Sequence, residues 1–326
     1  MKSSKTLALG LALGLSAASL GQAQDYPSEP IKVLVGFSAG SSIDTVARIM
    51  AEKLTESLGQ PVVVENRTGA NGMLAATAVA QADPDGHTVL FSNSSSITVN
   101  PTLFKDIQYQ PLVDFAPITK VVETPFILVT NPENPRTEGV TDVASLVETA
   151  RANPGDLSYG SAGIGNLIHL ATEIMAQKTG TEMTHIPYKG AAPMEVGLLS
   201  GEIDLAFDTP SGVPQIEAGR LTALAVSGPD RWPGLPDTPT MMEAGIDGFN
   251  VTFWTGVFMP DGTDPSIVQT FYDAIVSATE DPETRAKLEL QGRPVVPSPE
   301  DFRSQVEAET ETAAEIIKSA NIVVGQ

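Results

Sequence analysis

The fold is decided by the stretch Val33-Leu34-Val35-Gly36-Phe37-Ser38-Ala39-Gly40-Ser41-Ser42-Ile43-Asp44-Thr45-Val46-Ala47-Arg48. Its apolar start is typical of a strand buried on both faces. The small residues that follow predict a tight loop, and Ser41 with Asp44 predicts an N-cap in a variant of the capping box. Apolar residues then recur at helical spacing. This strand–loop–helix unit places helix-start amides where an open α/β sheet receives a small anion, although a single unit is more often an ordinary turn.

A second stretch of the same design lies in the other half of the chain. It reads Leu157-Ser158-Tyr159-Gly160-Ser161-Ala162-Gly163-Ile164-Gly165-Asn166 and leads into another amphipathic helix. Two such loops indicate two amide-rich surfaces that face each other across a cleft. Surfaces of this kind bind carboxylates through backbone N–H groups and the helix dipole, without Lys or Arg.

The segments around these two loops predict a two-lobed α/β fold in which each lobe is a mainly parallel sheet flanked by helices. Strands and helices alternate through the first hundred residues. Extended apolar stretches at 118–129 and 249–259 predict two strands that cross between the lobes. A strand at 88–91 ends in the predicted polar loop 92–96, where Asn93 and Ser94 are further candidate ligand-binding residues.

The N-terminus predicts export from the cytoplasm. Lys2 and Lys5 precede an apolar stretch too short for a membrane anchor, and small residues end at Ala23. Residues 1–23 are therefore predicted to be a cleaved signal peptide, and the bacterial periplasm is the expected compartment. A buried N-terminal helix is the alternative.

The charge of the chain restricts its partners. The formal net charge is −21, and it becomes −23 once residues 1–23 and their two lysines are removed. Such acidity disfavours nucleic acid and anionic membranes as partners. It also favours a salty habitat as a hypothesis, because salt screens distant surface acids. The chain contains no cysteine, which excludes disulfides and thiolate sites.

Enzymatic motifs are poorly represented. The three histidines have no ligand spacing on one helix, so we expect no metal, and no nucleotide motif indicates a cofactor. Ser161 lacks the surroundings of a nucleophile elbow. His169 can contact a ligand or hold its loop, and the two readings are evenly balanced. Asp208, at the end of a strand, and Lys189, in a loop, are candidate polar groups of the cleft.

The chain resembles the Bug family, the periplasmic receptors of tripartite tricarboxylate transporters. The resemblance rests on motifs in order along nearly all the mature sequence. Among them are residues 30–40, Leu58-Gly59-Gln60-Pro61, Asp83-Pro84-Asp85-Gly86-His87, His185-Ile186-Pro187-Tyr188-Lys189-Gly190 and Leu235-Pro236-Asp237-Thr238-Pro239. The chain departs from the family at Gly40-Ser41-Ser42, where Pro-Gly-Gly is usual, and at Asn166, where Ser is common. These departures leave the ligand open.

The resemblance implies a type II periplasmic-binding-protein (Venus flytrap) fold that captures a small organic carboxylate and delivers it to a membrane permease. It implies ligand contacts at Phe37 to Ser42 and at Ser161 to Asn166. With the candidates above, the predicted ligand-binding residues are Phe37, Ser38, Ala39, Gly40, Ser41, Ser42, Asn93, Ser94, Ser161, Ala162, Gly163, Gly165, Asn166, His169, Tyr188, Lys189 and Asp208.

The domain prediction places residues 24–123 and 251–326 in lobe one and residues 124–250 in lobe two. We expect a monomeric binding protein without catalytic activity. Two alternatives remain open: a receptor that signals through a sensor kinase, and an exported hydrolase that uses Ser161 or Asp208.

Overall fold

The computed structural model describes residues 26–319, so the predicted signal peptide lies outside the described residues. The strands are β1 (Ile31–Val35), β2 (Val62–Asn66), β3 (Thr88–Asn93), β4 (Phe115–Pro125), β5 (Ile127–Thr130), β6 (Ser158–Ser161), β7 (Thr184–Pro187), β8 (Leu205–Asp208), β9 (Thr222–Val226), β10 (Thr252–Pro260) and β11 (Arg293–Pro294). The helices are α1 (Ser42–Leu58), α2 (Met73–Ala80), α3 (Asn100–Leu103), α4 (Val143–Ala152), α5 (Leu167–Thr179), α6 (Ala191–Leu199), α7 (Val213–Glu217), α8 (Pro265–Glu280), α9 (Pro282–Glu289) and α10 (Pro299–Ser319). In this part of the chain, none of the helices combines the length and hydropathy needed to cross a membrane.

The strands form two sheets, and the predicted two-lobed α/β fold is confirmed. The first sheet has the order β11-β4-β10-β3-β1-β2, and the second has the order β7-β6-β8-β5-β9. The chain leaves the first sheet at Pro125 and enters the second at Ile127, so the predicted crossing stretch is divided into two strands at Phe126. It returns to the first sheet in β10, which pairs along the length of β4.

Both sheets are mixed, but most strands in each run in one direction, as the prediction of mainly parallel sheets requires. Strands β1, β2 and β3 are parallel, as are β6, β7 and β8. The two-residue edge strand β11 runs opposite to β4, and two longer strands, β10 in the first sheet and β5 in the second, run antiparallel to the parallel set. These two strands enter their sheets from the other lobe. They therefore start at the edge where the parallel strands end, and they must run in the opposite direction.

The buried strand β1 is covered on both faces, as its apolar sequence predicts. Val33 and Val35 belong to the core that contains Met50 of α1, whereas Leu34 packs into a second core with Phe302 of α10. The side chains of Val33, Leu34, Val35, Met50 and Phe302 are each at most 1% exposed. Each fully buried side chain of this size contributes about 1.5–3 kcal/mol to folding, so β1 and its loop rest on a rigid base.

The segment after β3 differs from the predicted polar loop. Residues Ser95–Val99 form a turn of π-helix that leads directly into α3. The segment is buried, so its backbone polar groups need partners within the protein. The carboxamide of Asn93 accepts the N–H of Ser96 at 3.1 Å, and the hydroxyl of Thr98 donates to the carbonyl of Ser94 at 2.8 Å. The helical turn thus gives the buried backbone N–H and C=O groups hydrogen-bond partners that an open loop would not supply.

Candidate functional site

A cavity of about 620 Å³ lies between the two sheets. Its walls are formed mainly by the loops that follow six parallel strands, three from each sheet. Phe126 and Phe253, whose ring centroids are 5.0 Å apart, contribute where the two crossings meet. The wall from the first sheet contains residues 36–43 and 68–72, Asn93, Ser95, Phe104 and Phe253, and the wall from the second contains Phe126, residues 162–164, Asn166, Ile168, residues 188–192, Glu195, Thr209 and Ser211.

The loop between β1 and α1 is held by the buried carboxylate of Asp44. One of its oxygens accepts the N–H of Gly40 at 2.8 Å and the guanidinium of Arg48 at 3.0 Å, and the other accepts the amide of Asn66 at 2.8 Å. Burial raises the pKa of Asp44, but the bonds from Arg48, Gly40 and Asn66 outweigh it and hold the pKa below its usual value. Ser41 caps α1 by accepting the N–H of Asp44 at 3.4 Å. The capping box is thus half formed, because Asp44 bonds Gly40 rather than Ser41.

The side chain of Ser42, the first residue of α1, is evidence that the cavity binds a ligand. This side chain is only 4% exposed, lines the cavity, and its hydroxyl has no hydrogen-bond partner in the structure. A buried hydroxyl without a partner costs free energy unless a ligand or a water molecule satisfies it. Ser42 thus brings to the cavity wall a hydroxyl that the protein leaves without a partner.

The loop at residues 68–72 forms part of the wall, although the sequence analysis did not select it. Asn71 adopts a positive φ of 50°, and its carbonyl accepts bonds from Ser96 at 2.8 Å and Asn100 at 3.0 Å. A Cβ on Gly36 would lie 2.6 Å from the Cα of Gly72, so these two backbones can approach only as glycines. The run Gly69-Ala70-Asn71-Gly72 after a strand is the signal that could have identified this loop.

Two hydrogen bonds join the lobes at the start of α5. The Nδ2 of Asn166 donates to the Oδ1 of Asn71 at 2.9 Å, and the N–H of Leu167 donates to the hydroxyl of Ser95 at 3.2 Å. Asn166 also caps the helix by accepting the N–H of Ile168 at 2.9 Å. The protein itself thus satisfies amides that the sequence analysis assigned to a ligand.

The start of α6 is a more open amide surface in the same lobe. This helix begins after Gly190, which has a φ of 127°, and no side chain caps it. Ala191 and Ala192, its first two residues, line the cavity beside Lys189. A helix start without a cap leaves N–H groups for an anion.

Ser161, His169 and His185 lie behind the cavity wall. Ser161 is 0% exposed, and its hydroxyl is 2.6 Å from Nε2 of His185 and donates to the carbonyl of Gly163 at 3.0 Å. Burial and then the neighbouring His169 lower the pKa of His185 to about 4, so the ring is neutral and donates from Nε2 to Ser161. His169 stacks on His185 at 3.9 Å and accepts the N–H of Gly165 at 3.0 Å. The histidines support the loop, and the enclosed Ser161 is not positioned as a nucleophile.

The predicted residues divide into two sets by position. Five lie behind the wall: Ser94, Ser161, Gly165, His169 and Asp208. The twelve that the structure brings together at the cavity are Phe37, Ser38, Ala39, Gly40, Ser41, Ser42, Asn93, Ala162, Gly163, Asn166, Tyr188 and Lys189.

A group of possible metal ligands lies apart from the cavity. Glu29, Asp85 and His87 offer ligand atoms within 4.8 Å of one another. The N–H of Ser28 donates to Nε2 of His87 at 3.3 Å, which places the ring proton of the neutral imidazole on Nδ1, 3.4 Å from Asp85. In this arrangement neither ring nitrogen offers a free lone pair, so the local hydrogen bonds do not favour a cation.

The fold and the cavity between its lobes define a two-lobed solute-binding protein. Residues 46–322 match the model of the tripartite tricarboxylate transporter family receptor. BugT of Bordetella pertussis is 34% identical over 94% of this chain and 95% of its own length. The chain belongs to the tripartite tricarboxylate transporter receptor family, and the resemblance to Bug proteins is confirmed.

Two solved structures with bound ligands are similar to the chain. The R. palustris protein Rpa4515 with adipate is 34% identical, with a TM-score of 0.87 over 92% of this chain and 99% of that one. MatC from Rhodopseudomonas palustris with bound malate is 29% identical, with a TM-score of 0.79 over 90% of this chain and 100% of that one. Both relatives were therefore solved with small organic acids.

Proposed function

We propose that the protein captures a small organic carboxylate between its lobes and delivers it to the membrane permease of a tripartite transporter. The observation that best supports this function is the cavity itself. Its wall includes the starts of α1 and α6, one from each lobe, and Ser42 with its unpartnered hydroxyl. Membership of the receptor family and the adipate and malate of its relatives support this function. Binding without catalysis is supported by the family and by the enclosed position of Ser161.

We propose that the lobes are residues 24–123 with 251–326, and residues 124–250, and that they close over the ligand as a monomer. The sheet crossings at Phe126 and before β10 support this division, although Thr124 and Pro125 still pair with β10 in the first sheet. The signal-like residues 1–23 and the family support work in the periplasm.

A thermal-shift screen of mono-, di- and tricarboxylates tests the proposed function. A ligand present at about 100 times its dissociation constant stabilises the folded state by about 2.7 kcal/mol, which raises the melting temperature. Matched amides and methyl esters serve as controls. The proposal is wrong if no carboxylate shifts the melting temperature more than its amide.

A further inference from the structure

One corner of the cavity is acidic, although the family binds acids. Glu195 on α6 is partly buried and lines the cavity, and it lies about one helical turn from the helix start. Among the described lining residues, it is the only carboxylate, and Lys189 is the only ammonium. The remaining lining groups are apolar side chains, hydroxyls, amides and backbone.

The surroundings of Glu195 concentrate hydrogen-bond acceptors. Asp208 lies nearby, fully buried, with Oδ1 accepting the N–H of Thr209 at 2.7 Å and with no partner for Oδ2. Burial and then the charge of Glu195 raise the pKa of Asp208 to about 7. Thr209 and Ser211, whose hydroxyls are 2.7 Å apart, complete this side of the wall.

The guanidinium of Arg220, the positive charge near Glu195, bonds to Gln215. Arg220 donates from Nε to the carbonyl oxygen of Gln215 at 2.8 Å and lies at the surface. Burial raises the pKa of Glu195, while a hydrogen bond from Gln215 and the charge of Arg220 oppose that shift. Glu195 therefore accepts a hydrogen bond from Gln215, and it takes part in no ion pair within 4 Å among the described residues.

We propose that Glu195 selects carboxylic acids that carry a hydrogen-bond donor, an ammonium or a hydroxyl, in place of a second carboxylate. This inference rests on the proposed function and names the ligand class of the same cavity. The carboxylate lies at the helix starts, and the donor lies at the acidic corner formed by Glu195, Thr209 and Ser211. A second carboxylate at that corner would face Glu195 at short range, where like charges repel strongly in a low-dielectric cavity.

The net charge of the whole protein also disfavours a ligand with two carboxylates. The mature chain carries a formal charge of −23, since the two lysines of residues 1–23 are lost from the total of −21. A dianion approaches this field unfavourably, whereas a zwitterion carries no net charge and a hydroxy acid carries only one.

The test is calorimetric titration with matched acids of four to six carbons. In each series the far carboxylate of the diacid is replaced by an aminomethyl or a hydroxymethyl group. We expect the wild-type protein to bind a donor-ended acid at least tenfold more tightly than the matched diacid. Glu195→Gln should lose at least tenfold for the amino acid, lose less for the hydroxy acid, and gain affinity for the diacid. The two donor groups are thereby distinguished.

Glu217→Gln is the matched control, because it removes the same charge from exposed α7 outside the cavity and should leave all affinities unchanged. Tighter binding of diacids by the wild type, with no change in Glu195→Gln, would overturn the inference and leave the carboxylate receptor intact. If no acid in any series binds to the wild type, the inference is wrong, and the wider thermal-shift screen decides the proposed function.

Discussion

At the scale of the residue, Ser41 and Ser42 are neighbours with different roles. Ser41 caps α1, whereas the hydroxyl of Ser42 has no partner and lines the cavity. The sequence analysis assigned the cap to Ser41 and gave both serines as ligand-binding residues. The structure separates the two roles, because the hydroxyl of Ser41 accepts the N–H of Asp44 and the hydroxyl of Ser42 has no partner in the protein.

Replacing Ser42 by Ala should therefore weaken ligand binding while leaving the fold intact. A hydrogen bond to a charged group contributes about 1.5–3 kcal/mol, which corresponds to a loss of roughly ten- to a hundredfold in affinity. Ser57→Ala is the control, since this exposed serine of the same helix lies outside the cavity and should leave the affinity unchanged. Calorimetric titration and thermal melts measure both effects. Equal affinity of Ser42→Ala and the wild type would contradict the assignment.

Asp208 predicts a pH-dependent stability of the ligand-free protein. Burial and Glu195 raise its folded-state pKa to about 7, above the unfolded value of about 3.9. The native state then retains a proton that the unfolded state has lost, so this group lowers stability as pH rises from about 4 to about 7. Asp208→Asn, which keeps the acceptor for Thr209, should match the wild type near pH 4 and melt higher at pH 8. A pH-independent difference in melting temperature would contradict this prediction.

The sequence identified the loop residues that follow β1 and β6 because small residues at the end of an apolar strand have a local signature. It missed Asn71, Phe253 and Glu195. Phe253 sits in a crossing strand, and Glu195 sits on a helix face, where Glu is usually solvated. Only the packing of distant segments brings Phe253 and Glu195 to the cavity, and no local pattern encodes it, whereas Asn71 has a local signal in its Gly-rich run after β2.

At the scale of the element, the start of α6 is more open than the start of α5. Asn166 and Ser95 occupy the first amides of α5, whereas no side chain caps α6. The sequence analysis placed ligand contacts at the start of α5 instead, because the Gly/Ser loop before α5 is the clearer motif. The partners of that loop come from the other lobe and are not visible in the local sequence.

Ala191→Pro tests the amide at the start of α6. Proline is well tolerated at the first position of a helix, and it removes one N–H group. The preceding Gly190 has a ψ of 170°, which suits a residue before proline. We expect roughly tenfold or greater loss of affinity for the carboxylate, measured by calorimetry, with little change in melting temperature. Ala191→Ser, which keeps the N–H, is the control, and unchanged binding by the proline variant would exclude this amide as a ligand contact.

At the scale of the whole molecule, the two lobes are in contact. The bonds from Asn166 to Asn71 and from Leu167 to Ser95 cross the cleft. An apolar cluster joins the lobes as well, with Leu170 of α5 beside Val99 and with Ile317 of α10. The two-lobed fold was predictable from the repeated strand–loop–helix design. The hydrogen bonds and the apolar cluster between the lobes were not predictable from the sequence, since they depend on how far the lobes close.

Asn166→Asp should shift the ligand-free protein toward an open form. Asp remains a good N-cap for α5, but it replaces the donor to Asn71 with an oxygen that repels the Oδ1 of that residue. Small-angle scattering should then show a larger radius of gyration than for the wild type, and ligand should reduce it again. The Asn166→Ser control keeps a cap without the charge. Identical radii for Asn166→Asp and the wild type would mean that this bond does not control closure.

The central claim is that the cavity binds a carboxylate group through amides and hydroxyls of both lobes. The most direct measurement is calorimetric titration of the wild-type protein with its best acid ligand and with the primary amide of the same molecule. The account predicts that the acid binds at least a hundredfold more tightly than the amide, about 2.7 kcal/mol. Equal affinities for the acid and the amide would contradict it.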